Sequence, residues 1–134
     1  MKLFLLDTNI VSHFMRGDQP TITERLRETA LNDVAISVVT KGEMLFGLAK
    51  RKRPRKLEQA INGVLQTIAV LPWTSETAET YGALKAQCTT DGLSLSDLDM
   101  MIAAHAISLN AILVTRDKAF DHFGEHLKIE SWMQ

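Results

Sequence analysis

Apolar residues in this chain follow two alternating rhythms. Four short unbroken runs, Leu3-Phe4-Leu5-Leu6, Val34-Ala35-Ile36, Val70-Leu71 and Ala111-Ile112-Leu113-Val114-Thr115, have the continuous apolar character of strands buried on both faces. Between them, apolar residues return every three or four positions, as on one face of an α-helix. Ile10, Val11, Phe14 and Met15 predict a helix capped by Thr8 or Asn9 and broken at Gly17-Asp18-Gln19-Pro20. Thr21 and Glu24 form a capping-box pattern for a charged helix reaching about Leu31. Ser37 to Lys50 reads as a helix with Val39, Met44, Leu45 and Leu48 apolar. Leu57, Ile61, Val64, Leu65 and Ile68 predict another, with Pro54 at its first position. Ser75 to Thr90 is helical and ends at Asp91-Gly92. In a helix from Ser96 to Leu109, the residues Leu98, Met101, Ile102, His105 and Leu109 line one face. Ala103, Ala104 and Ala106 allow close approach to a sheet, and Asn110 suits the stop. Lys128 to Ser131 is a fifth strand candidate. Strands alternating with helices predict an α/β fold, with a parallel sheet of about five strands flanked by helices.

Length and charge narrow the classes. With 134 residues, the chain is expected to be one domain over 1–134, large enough to bury a core without disulfides. The formal net charge of −1 gives no global attraction to nucleic acid, so any phosphate contact must use a local patch. Cys88 is the only cysteine, which points to a reducing cytoplasm. The opening Met-Lys-Leu-Phe-Leu-Leu resembles a signal peptide, but Asp7 ends the apolar run too early, and no stretch approaches membrane-spanning length.

The chemistry lies in the acids. Asp7 follows the first strand and Asp117 the fourth, where open α/β sheets bind their ligands. Glu43 and Asp99 each stand three residues after a candidate cap, Thr40 and Ser96, and so both fit a capping box. Asp99 is the poorer box residue because its side chain is shorter. Asp97 points about 200° away around the same helix, so only one of the pair faces the crevice, and Asp99 is the choice. Four unpaired carboxylates in one cleft would raise each other's pKa values, a conflict that divalent cations resolve. Oxygen ligands suit Mg²⁺ or Mn²⁺, which activate water for displacement at phosphorus, with Thr8, Asn9 and Thr115 placed to orient ligands.

Leu6-Asp7-Thr8-Asn9, Glu43-Met44-Leu45-Phe46-Gly47, the segment Asp99 to Ala106 and Leu113-Val114-Thr115-Arg116-Asp117 together resemble the ordered motifs of PIN-domain nucleases, and most closely the VapC toxins of bacterial toxin–antitoxin pairs. The likeness extends over nearly the whole chain. It implies a Rossmann-like sheet, Mg²⁺-dependent RNA cleavage, a VapB antitoxin partner and a homodimer, with transfer RNA cut near the anticodon as the reasonable guess at a target. Carried over by position, it implies that Asp7, Glu43, Asp99 and Asp117 are the acidic quartet, with Asp7 and Asp99 binding metal directly. Ser96-Asp97 replaces the more usual Gly- or Pro-containing approach to Asp99, which keeps Asp97 in view as a ligand.

Other signals point elsewhere or nowhere. His122-Phe123-Gly124-Glu125-His126 matches a zinc-protease pattern, but Gly124 interrupts the helix that pattern needs. His105 reads as a core histidine, and Cys88 as buried and inert. The run from Lys50 to Lys56 holds six of the fifteen basic residues. It is either a solvated turn or an RNA-backbone contact through Lys50, Arg51, Lys52, Arg53 and Arg55. Two alternatives remain. A haloacid-dehalogenase-type phosphatase needs a second Asp where Asn9 stands, and a catalytically degenerate PIN-fold binding protein would be expected to lack acids that this chain retains.

Overall fold

The structure, a computed structural model, describes residues 2–133. Five strands form one parallel sheet: β1 (Phe4–Leu6), β2 (Val34–Ser37), β3 (Ala69–Leu71), β4 (Ile112–Val114) and β5 (Lys128–Glu130), in the order β3-β2-β1-β4-β5. Their links carry helices α1 (Thr8–Arg16), α2 (Pro20–Glu28), α3 (Val38–Lys50), α4 (Arg55–Thr67), α5 (Ser75–Thr90) and α6 (Asp97–Ser108), with 3₁₀ turns at Leu31–Asp33 and Lys118–His126. The expected α/β sandwich and its five strands are therefore present.

Alternation along the strands divides the core in two. Phe4, Leu6, Val34, Ile36 and Val114 face α1 to α4, meeting Ile10, Val11, Ile22, Met44, Leu48, Ile61 and Val64. Leu5, Ala35 and Leu113 face the other way, toward α5, α6 and the second 3₁₀ segment. Both faces of β1 are covered, which is why it reads as an unbroken apolar run.

Several helix starts differ from the expectation. Ser37 ends β2 and immediately caps α3, its hydroxyl accepting from the Val39 N–H at 3.0 Å, so α3 begins before Thr40. Pro20 occupies the first turn of α2 after Gln19, which places Thr21 inside the helix and removes the Thr21–Glu24 box. That helix ends at Glu28 rather than near Leu31. Pro54 sits one residue before α4, not at its first position. On α6 the buried surface runs through Met100, Ile102, Ala103, Ala104, His105 and Ala106, while Leu98 is exposed. The small alanines let α6 press against its neighbours over a wide arc, and a single stripe does not describe it.

Candidate active site

β1 and β4 are hydrogen-bonded neighbours, paired as Leu6 with Val114. From β1 the chain winds toward β2 and β3, and from β4 it winds toward β5. The helices therefore diverge between β1 and β4 and open a crevice at the carboxyl ends of both strands. Asp7 is the first residue beyond β1, and Thr115 and Asp117 follow β4.

Asp7 is 6% exposed. One carboxylate oxygen accepts the Ile10 N–H at 2.9 Å, and the other accepts the Thr115 hydroxyl. Asp7, not Thr8 or Asn9, is thus the cap of α1. Capping and a place in the crevice are not alternatives, because the two oxygens divide the tasks. Thr115 Oγ1 in turn accepts the Asp117 N–H at 3.0 Å, and Asp117 Oδ1 accepts the Ala119 N–H at 2.9 Å.

Glu43 is not a capping-box residue. With α3 starting at Val38, it lies beyond the first turn and reaches α1, where Oε1 accepts the Thr8 hydroxyl at 2.6 Å. Thr40 Oγ1 stands 3.2 Å from Thr8 Oγ1 in the same cluster. Ser96 does cap α6, accepting the Asp99 N–H at 3.1 Å. Asp97 points away, its side chain 78% exposed and 3.3 Å from the Lys85 ammonium.

Burial pushes the Asp7 pKa above its ordinary 3.8. Hydrogen bonds from Thr115 and Ile10 oppose this, and the charges of Asp99 and Asp117 raise it further. Asp99 is also raised, first by burial, with Ser96 opposing and the Asp117 charge adding. Asp7, Asp99 and Asp117 therefore sense one another across the crevice. An all-oxygen set of mutually repelling carboxylates fits a hard divalent ion that retains waters. Among the described residues, no three His, Cys, Asp or Glu side chains are grouped to hold an ion by themselves.

Two clefts open beside this centre. One, of about 570 Å³, runs past Asp7, Asn9, His13, Arg116, Asp117 and Lys118. The other, of about 480 Å³, includes Thr8 and Glu43 and is bordered by Arg16, Arg51 and Lys56. Of the five expected RNA contacts in the basic turn, Arg51 alone lines this cleft. Lys50 lies over the Phe46 ring at 5.9 Å, Arg53 pairs with Glu58, and Lys52 and Arg55 are exposed. Arg16, Lys56, His13, Arg116 and Lys118 were not expected from the sequence. Apart from spacing within a helix, no local signal marks residues that meet only through packing.

The residues set aside fall as expected. His105 is fully buried, its Nδ1 2.7 Å from Ser37 Oγ, and burial lowers its pKa. Cys88 is buried, and burial raises its thiol. His122 and His126 are exposed on the 3₁₀ segment that Gly124 kinks, with φ 55° and ψ −129°.

Residues 4–126 match the family described as the PIN domain. The chain belongs to the PIN-domain family. This PIN domain is 32% identical over 135 residues to the tRNA(fMet)-specific endonuclease VapC of Shigella flexneri, covering 98% of this chain and 99% of that one. It is 28% identical over 132 residues to ribonuclease VapC2 of Rickettsia felis, covering 97% and 98%. Among solved structures it resembles DNA-bound VapBC from Salmonella typhimurium, with a TM-score of 0.91, 27% identity and 98% and 99% coverage. It also resembles VapBC2 from Rickettsia felis bound to a promoter DNA fragment, with a TM-score of 0.90, 27% identity and 97% and 98% coverage. The likeness read from the four acidic motifs is borne out, and the phosphatase alternative falls.

Proposed function

We propose that this PIN domain is the toxin of a type II toxin–antitoxin pair, an endoribonuclease dependent on Mg²⁺, or on Mn²⁺ in its place, and restrained by a VapB-type antitoxin. The observation that carries this reading is the convergence of Asp7, Asp99 and Asp117 at the β1–β4 crevice, where burial and mutual repulsion raise Asp7 and Asp99. The ribonuclease names of the VapC relatives and the VapBC complexes among the similar structures support it.

Asp7 and Asp99 are the metal-binding pair in this reading, and the ion supplies Lewis-acid stabilisation at the scissile phosphate and a more acidic water. The protein's part is orientation. Thr115 and the start of α1 fix both oxygens of Asp7, Thr8 fixes Glu43, and Ala119 and Thr115 fix Asp117. As the water oxygen bonds to phosphorus, its proton passes to a carboxylate of the group. The bond from phosphorus to the departing ribose oxygen breaks, and that oxygen takes a proton from solvent. Asn9 faces the cleft beside Asp117, placed to bind substrate oxygens.

Transfer RNA, cut in the anticodon region, is the first substrate to test, because the Shigella flexneri and Salmonella typhimurium relatives are named for tRNA(fMet). The work would be done in the cytoplasm; among the described residues no helix is long and apolar enough to cross a membrane. Exposed Val38, Leu45 and Phe46 on α3 and Leu98 on α6 suit a homodimer. An apolar cleft between Phe14, Leu26, Leu31, Val64 and Ile68 suits an apolar antitoxin segment.

The test is incubation of the purified chain with a tRNA mixture in Mg²⁺ and in chelator. Cleavage is expected only with metal and only with Asp7 intact. Undiminished cleavage by Asp7→Asn in Mg²⁺ would sink the reading.

A further inference from the structure

Two helix faces run side by side away from the carboxylates. On α1, Thr8, Ser12 and Arg16 recur at intervals of four; Glu43 and Gly47 on α3 continue the same interval to Arg51, the residue that ends that helix, and all six border the cleft of about 480 Å³. That interval stacks side chains along one helix face, with a rise of about 6 Å per step. Each stripe begins with a polar group at the active site, passes through a small residue and ends in an arginine. The two beginnings are tied by the 2.6 Å Thr8–Glu43 hydrogen bond.

The small residues make the trough. A Cβ built on Gly47 would stand 3.4 Å from Arg51 Nη1, so the Arg51 guanidinium lies back over Gly47, along the stripe that leads to Glu43. Met44, Leu57 and Ile61 add apolar lining, and Lys56 adds a further cation. Among the described residues, Arg51 and Lys56 form no ion pair, whereas nearby Arg53 is paired with Glu58 and Arg16 with Asp18.

We propose that this cleft is the subsite for the RNA nucleotide next to the scissile phosphodiester, with its base over the apolar lining and its phosphate held by Arg51 and Lys56. The proposal rests on the ribonuclease reading above. Unpaired cations beside apolar lining match the two halves of a nucleotide, a charged phosphate and a base with an apolar face. Because Thr8 and Glu43 form the inner end, a strand lying in the cleft reaches the carboxylates without a break. An acidic peptide would satisfy the cations but has no need of that continuity.

The test is titration of a fluorescent single-stranded RNA of mixed sequence against the full chain carrying Asp7→Asn, at several salt concentrations. Adding Arg51→Ala or Lys56→Ala is expected to weaken binding about tenfold and to reduce the salt slope by about one. Lys128→Ala, which removes an exposed cation from β5, should leave both nearly unchanged. Gly47→Leu keeps every charge but fills the trough. It should weaken binding, by filling the trough and crowding the Arg51 guanidinium, and melt no lower, since Leu favours helix over Gly. In the active chain cutting a tRNA mixture, Arg51→Ala should raise KM while kcat stays within about twofold, the signature of lost uniform binding. RNA affinity in Arg51→Ala and Lys56→Ala equal to that of Lys128→Ala overturns the proposal. So does weakened binding of an antitoxin with RNA affinity unchanged, which would assign the cleft to a protein segment. Failure of the intact chain to cleave, with RNA binding still dependent on Arg51, overturns the nuclease reading but supports the RNA subsite.

Discussion

Asp7 combines a structural and a chemical task, and the two pull in opposite directions. Its carboxylate caps α1 and accepts from Thr115, yet burial and two neighbouring acids hold its pKa above 3.8. The folded form therefore binds this proton more readily than the unfolded chain. Ionised Asp7 weakens the fold at neutral pH, and stability from this group rises as pH falls through the raised value. Asp7→Asn keeps the oxygen that caps α1 and removes the buried charge. Thermal melts in chelator should show the variant more stable than the parent at neutral pH, with the gap closing in acid, while cleavage falls by about 10² to 10³ or more. A variant that melts lower at neutral pH would contradict this account of the charge. Thr115→Val removes the hydroxyl that holds the Asp7 pKa down. In chelator the Asp7 carboxyl should then titrate at higher pH, a direction that carboxyl-resolved NMR titration of parent and variant can check.

At the scale of elements, Ser37 joins three of them. It ends β2, caps α3 and stands 2.7 Å from His105 on α6. Ser37→Ala should cost about 1–2 kcal/mol in denaturant unfolding, since one change removes a cap and strands a buried imidazole nitrogen. Burial holds His105 below its ordinary 6.5 and so keeps it neutral in the fold. The stability this confers is complete above 6.5 and is lost as pH falls from there toward the depressed value. Urea midpoints on either side of pH 6.5 should show the loss, and His105→Gln should flatten it.

At the scale of the whole molecule, the sheet order turns separate acids into one centre. A divalent ion that binds only the folded protein raises its stability by mass action, by about 2.7 kcal/mol at a hundredfold excess over Kd. Mg²⁺ should therefore raise the melting temperature of the parent chain. Asp99→Asn should abolish most of that rise and Asp97→Asn should not, because Asp97 stands exposed beside Lys85. The opposite pattern would move the metal site to Asp97. The same order places Asp7 and Asn9 along one cleft and Thr8 and Glu43 along another, so the two clefts meet at the start of α1.

The central strands β1, β2 and β4 were legible in the sequence because they lie inside a parallel sheet with helices on both faces. Double burial leaves apolar runs that need no partner to be recognised, whereas the edge strands β3 and β5 are partly exposed and leave a weaker trace. Asp7 and Asp117 were legible because each follows such a run. The helix starts were less so: Thr21, Thr40 and Pro54 all looked like starting signals, but Thr40 lost to Ser37 at the end of β2, Thr21 to Pro20, and Pro54 stands one residue before its helix. Glu43 shows the limit most clearly. Its spacing from Thr40 suggests a cap, but its partner is Thr8, thirty-five residues away in the chain, |i−j| = 35. Thr115 reaches Asp7 across |i−j| = 108. Such pairs leave no periodicity, since they exist only once β1 lies between β2 and β4. Local sequence alone therefore determined which segments are strands and helices and which acids end them. The tertiary structure decided which acids share a crevice, which oxygen of Asp7 does which task, and which of fifteen basic residues border the clefts. Strand order and helix packing are properties of the whole chain, and they set distances that no single segment encodes.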